Sequence, residues 1–81
     1  MSQTTIELKK ELKKSLALLQ TLRDEVRVKL HLAGMDAKGQ WKKLEPRLKE
    51  VEHAAEEITE ASRTAVVDAV KKLKKFRDSL N

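Results

Sequence analysis

The stretch from Leu44 to Leu80, LEPRLKEVEHAAEEITEASRTAVVDAVKKLKKFRDSL, decides the fold. Leu44, Leu48, Val51, Ala55, Ile58, Ser62, Ala65, Ala69, Leu73, Phe76 and Leu80 follow one another at steps of three or four residues. That spacing sits close to the period of an α-helix and of a coiled coil, so these side chains share one stripe. The stretch is a long amphipathic helix that must lay its stripe on something. Pro46 suits a first helical turn, and Glu45 before it is pushed away from helical geometry, so the helix is expected from about residue 46 to 80. Small residues, Ala54, Ala55, Ala61, Ser62, Ala65 and Ala69, fill its middle and leave a shallow groove. A facing helix can approach closely there.

The first half of the chain supplies such a helix. Leu8, Leu12, Leu16, Leu19, Leu22, Val26, Leu30 and Ala33 form a second stripe. At ~100° per residue they stay within about a third of the circumference. Ser2, Thr4 or Thr5 can cap this helix, and Thr4 with Glu7 fits a capping box. A weaker apolar line, Ile6, Ala17 and Val28 with Leu18 and Leu32 beside it, points away from the main stripe. A helix that is apolar on two sides is usually contacted on two sides, and the plain alternative is scattered surface aliphatics, which are common.

Three breakers compete for the turn: Gly34, Gly39 and Pro46. Gly34 followed by Met35 reads as a helix stop with glycine in the left-handed conformation, and Asp36 as the next cap. Trp41 and Leu44 continue the stripe, so the connection is itself expected to be helical. The expectation is one all-α domain over 1–81. Helix 1 runs from about 4 to 34, a short connector covers 36–45, and helix 2 runs from about 46 to 80. Two long helices with a short connection predict an antiparallel hairpin. A turn near 34–36 sets Lys9, Lys10, Lys13 and Lys14 beside Glu56, Glu57 and Glu60, and one near 40 brings Arg23 and Arg27 there instead. Trp41 is expected to close the end of the bundle.

Composition agrees with helices. Aromatic residues are 2 % of the chain and charged residues 38 %, with two glycines and one proline, which favours helix over sheet. A lone hairpin of 81 residues has one seam to bury, so a dimeric four-helix bundle is expected. The seam is assigned to Leu12, Leu19, Leu22, Val26, Leu30, Leu48, Val51, Ile58, Ala65, Leu73 and Phe76.

The net charge of +5 is unevenly placed. Residues 1–33 and 70–81 are basic, and residues 46–69 are acidic. The C-terminal cations Lys71, Lys72, Lys74, Lys75 and Arg77 flank a narrow apolar line and form a candidate anion-binding segment, for nucleic acid or an anionic membrane surface. The plain alternative is a solvated helix end whose cations complement the dipole. Lys9, Lys10, Lys13 and Lys14 invite the same two readings, with Glu7 and Glu11 at helix-pair spacing.

Catalytic patterns are missing from the sequence. With no cysteine, thiolate metal sites and disulfides are excluded. His31 and His53 lack the convergent partners that a metal needs. Asp24-Glu25 and Glu56-Glu57 are sequence neighbours and point to different helix faces, which makes them poor acid–base pairs. No phosphate loop or Ser-His-Asp set appears. No enzyme activity, metal or cofactor is expected. No signal peptide or continuous apolar span is visible, so a cytoplasmic protein is expected.

The run Leu30-His31-Leu32-Ala33-Gly34-Met35-Asp36-Ala37-Lys38, with Trp41, Leu44, Glu45 and Pro46, resembles a pattern in short uncharacterised all-helical proteins of proteobacteria. The resemblance covers the middle of the chain, implies a bacterial cytoplasmic protein, and implies no site residues. Trp41 is not followed by the Trp-x-Gly turn of small helical-hairpin secretion substrates, so that likeness is slighter. The expected function is a non-enzymatic interaction or scaffold module that self-associates, a dimer favoured. The alternatives are a small basic nucleic-acid-associated protein or an amphipathic binder of lipid or granule surfaces.

Overall fold

The computed structural model describes the backbone of residues 2–80 and side-chain surroundings over 6–80. Over the described residues the protein is all-α, with three helices: α1 (Ser2–Leu30), α2 (Met35–Ala54) and α3 (Glu60–Ser79). The side-chain caps expected at Ser2, Thr4 and Thr5 lie outside the described residues. Leu12, Leu19, Leu22, Val26 and Leu30 of α1 are buried, with Leu16 and Ala33 packed against them. Their stripe faces Trp41 and Leu48 of α2 and Val66, Ala69, Val70 and Leu73 of α3 in one core. The bundle measures 48 × 18 × 14 Å between Cα atoms. Its long dimension is close to the ~43 Å of a 29-residue helix.

Ion pairs reveal the chain directions. Arg63 Nη1 meets Glu11 Oε2 at 2.8 Å, and Arg77 Nη1 meets Glu25 Oε2 at 3.1 Å. Both pairs are 52 residues apart, so α1 and α3 run parallel. Between α1 and α2 the order reverses. Arg23 meets Glu52 at 2.7 Å and Arg27 meets Glu45 at 3.2 Å, so those helices are antiparallel. The most extensive packing is between α1 and α3. The buried residues of α3 include the small or short side chains Ser62, Val66, Ala69 and Val70, which suit close helix packing.

The helix expected over 46–80 is thus two helices, and the hairpin expected from the sequence is replaced by an up-down-up arrangement. The break at 55–59 contains neither glycine nor proline. Thr59 makes it, with extended backbone (φ −134°, ψ 162°) and a side-chain oxygen accepting from the Ser62 amide at 3.0 Å. Thr59 Oγ1 also donates to Ser62 Oγ at 2.9 Å, and Ser62 Oγ donates to the Ala54 carbonyl at 2.9 Å. One buried hydroxyl therefore ties the start of α3 to the end of α2 and satisfies groups that both helix ends leave open.

The first turn also differs. α1 ends at Leu30, not near 34, and its end tightens through i to i+3 bonds from the amides of His31, Leu32 and Ala33. Gly34 is not left-handed. It is the extended residue before α2 (φ −73°, ψ 174°), and Asp36 lies in the first turn of α2, where its charge suits the helix dipole. Gly39 and Pro46 fall inside α2, so neither starts a helix. Proline removes a hydrogen bond to the residue four before it. Here that loss falls on an exposed face, while Trp41 and Leu48 on either side are held in the core. Tertiary packing carries the helix through.

Candidate interaction surfaces

The cations divide by type. Among the described residues, Arg23, Arg27, Arg63 and Arg77 all bridge α1 to another helix, each to a glutamate. Arginine suits this work because its planar fork holds a carboxylate with fixed geometry. The hydrogen bond to Glu11, reinforced by that carboxylate's charge, raises the pKa of Arg63 above the ordinary guanidinium value. The hydrogen bond to Glu25 does the same for Arg77, against a lowering by burial. Arg23 is the most enclosed of the four, with its side chain 13 % exposed and its Nε lacking a partner.

The lysines of the C-terminal segment behave differently. Lys71, Lys72, Lys74 and Lys75 are all exposed. Arg77, expected to join them in binding anions, is half-buried and committed to Glu25 and to Asp78 at 3.3 Å. Lys71 and Lys72 do not converge either. Lys71 lines the groove between α1 and α3 with Lys14, whereas Lys72 lines the groove between α2 and α3 with Arg47. Asp68 borders both grooves. Lys9, Lys10, Lys13 and Lys14 are also exposed. The acidic residues Glu56, Glu57 and Glu60 expected opposite them are exposed in the second turn and at the start of α3.

Most of the residues assigned to the seam lie in the core of the chain. Leu12, Leu19, Leu22, Val26, Leu30, Leu48 and Leu73 are buried, and Val51 and Phe76 pack against them. Two do not follow. Ile58 stands in the second turn and is exposed. Ala65 is half-buried at the wall of the α2–α3 groove, and Val66 takes the core position that Ala65 was expected to hold. The break at 55–59 takes Ile58 out of the helix, and on α3 the stripe centres on Val66, Ala69, Val70 and Leu73, which leaves Ala65 at its edge. Trp41 is buried and stacks on Phe76 with ring centroids 5.9 Å apart, joining α2 to α3.

Two apolar surfaces remain open. The α2–α3 groove has a floor of Leu44, Val51, Ala65 and Ala69 between charged rims. The second is the outer face of α1, where Ile6 is 54 % and Val28 71 % exposed, continuing into the first turn with Leu32 at 94 %. Ala17 is exposed and Leu18 is 40 % exposed on the same helix. The sequence pointed to this line through its spacing. It gave no sign that Met35, 86 % exposed, would join Leu32 at the turn, since Met35 was read as part of a helix stop.

Among the described residues, no group of three or more His, Asp or Glu side chains is placed to hold a metal ion. His53 Nδ1 lies 3.7 Å from Glu56 on an exposed surface. No described helix is long and apolar enough to cross a membrane. No family model, curated protein or solved structure matches this chain.

Proposed function

We propose that the protein is a non-enzymatic helical interaction module that associates with itself. The observation that carries this reading is the outer face of α1. The three-helix bundle has already buried the main stripes of its helices, yet Ile6 and Val28 on α1, and Leu32 in the turn that follows, stay in water. Large aliphatics repeated along one helix face are a common mark of a contact surface. The four-helix bundle expected from two hairpins becomes, with three helices in each chain, a six-helix dimer joined outside the core.

Sedimentation from low micromolar to millimolar concentration tests the reading. A mass that rises with concentration supports it, and a folded monomer throughout overturns it. The second reading, polyanion binding, draws on the exposed lysines of α3. Lys71 and Lys72 lie in separate grooves bordered by Asp68, which favours a diffuse attraction that falls steeply with salt. A gel shift with duplex DNA that vanishes at physiological salt fits that weak attraction alone.

A further inference from the structure

The exposed face of α1 has a centre. Ile6, Ala17 and Val28 are eleven residues apart, which is three helical turns with about 20° of drift at each step. Outward from Ala17, the same face carries Lys13 and Thr21 four residues either side. Lys10 and Asp24 follow at seven, and Ile6 and Val28 at eleven. All seven are exposed. Reversed end to end, the row is its own complement: aliphatic meets aliphatic, cation meets anion, and the smallest side chain sits in the middle. Such a row fits an isologous contact, in which residue i meets j and j meets i.

Part of the charge on α1 is committed to the other helices. Glu11, Arg23, Glu25 and Arg27 are spent on α2 and α3. Lys10 and Asp24 have no hydrogen-bond or ion-pair partner among the described residues of their own chain, and both lie in the self-complementary row. Thr21 Oγ1 donates to the Ala17 carbonyl at 3.0 Å, which leaves its oxygen free to accept from a lysine.

We propose that the partner of this face is a second copy of the chain, docked α1 on α1 in antiparallel, with the two-fold axis passing at Ala17. Ile6 then meets the partner subunit's Val28, and Lys10 meets the partner subunit's Asp24. Ala17 lets the helices approach closely at the crossing, where a larger side chain would hold them apart. The inference rests on the self-association reading and adds its geometry. A single helix pair makes a small interface, well below the ~1,600 Å² of a standard one, so the dimer is weak and in exchange with monomer.

Charge reversal tests it by sedimentation on the full chain, with circular dichroism confirming that each variant keeps its helix content. K10D alone and D24K alone each set like charges opposite one another at two symmetric places, and each is expected to weaken association at least tenfold. K10D with D24K restores the pairing and is expected to return association to within about threefold of the parent. A second measurement uses the absence of cysteine. A17C is expected to form a disulfide-linked dimer in air far faster than T64C, whose side chain is exposed on α3.

A dimer that ignores the charge reversals and shows no preference for A17C overturns this geometry and leaves self-association standing. A parent chain that stays monomeric at every concentration overturns both. Capture by anionic vesicles without self-association also overturns the geometry.

Discussion

The two sides of α3 are built to different standards. Toward α1 it presents Val66, Val70 and Leu73, sealed at 0–7 % exposure, and two arginine–glutamate pairs in parallel register. Toward α2 it presents half-buried Ala65 at the wall of an open groove, with the Trp41–Phe76 stack as the main anchor. α2 itself carries Gly39 and Pro46 within its span, whereas α1 and α3 contain no glycine or proline. The α1–α3 pair is the stable unit, and α2 is held against it by a few large side chains. Stability within one small domain need not be uniform, and the segment with weak helix formers and an open groove opens first. Native-state amide exchange should therefore be faster in α2 than in the middle of α1 or α3.

The largest effect that separates the two sides comes from adjacent residues. Val66→Asp places an unpaired charge in the sealed seam and is expected to cost several kcal/mol, enough to unfold a small domain. Ala65→Asp sends the same charge into the open groove and is expected to cost about 1 kcal/mol or less. Thermal melts followed by circular dichroism compare them. Equal losses would mean that the α2–α3 side is as tightly closed as the other.

Pro46→Ala restores a backbone hydrogen bond in the middle of α2 and is expected to raise stability by up to about 3 kcal/mol. The gain should appear as slower exchange in α2 with little change in the α1–α3 pair. A variant with unchanged exchange in α2 would show that proline is not what weakens it.

Ion pairs extend the comparison. Glu52→Ala leaves the enclosed guanidinium of Arg23 without its partner, and about 1–3 kcal/mol should be lost. Glu11→Ala breaks a pair whose side chains are 38 % and 56 % exposed, and a loss of about 0–1 kcal/mol is expected. Urea titrations of both variants rank them, and the ranking fails if Glu11→Ala is the costlier change.

The smallest effect concerns Gly39. A Cβ built there meets no atom within 4 Å, and the residue is exposed in helical backbone. Gly39→Ala is expected to stabilise by about 0.5–1 kcal/mol through the reduced entropy of the unfolded chain. A loss of stability would show that α2 needs the flexibility.

Much of this was legible in the residues. The stripe of α1 predicted Leu12, Leu19, Leu22, Val26 and Leu30 as its buried face, though Leu8 at its start is only half-buried, and the second line named aliphatics that are exposed. The anion-binding segment was legible only as composition. That Arg77 is drawn inward to Glu25 while Lys71 and Lys72 fall into different grooves depends on where α3 lies beside its neighbours. The signal for the second turn was present but faint. Thr59 before Glu60 is a helix-start pair, set among alanines and glutamates that read equally well as helix interior.

The chain's own pattern thus determines that it is helical and which face of α1 is apolar. Those properties follow from local periodicity and backbone preference, which each segment carries with it. Among the competing breakers Gly34, Gly39 and Pro46, the structure places the first break before Gly34. Tertiary structure decided that residues 46–80 fold back on themselves, that α3 runs parallel to α1, and that Pro46 sits inside a helix. An unbroken second helix would have covered one side of the α1 stripe and left its own remaining apolar positions in water. Breaking at Thr59 lets Leu48 and Leu73 reach the same core from two directions. That burial outweighs the lost helical turn and a misplaced proline, because apolar area removed from water is the largest favourable contribution available to so short a chain.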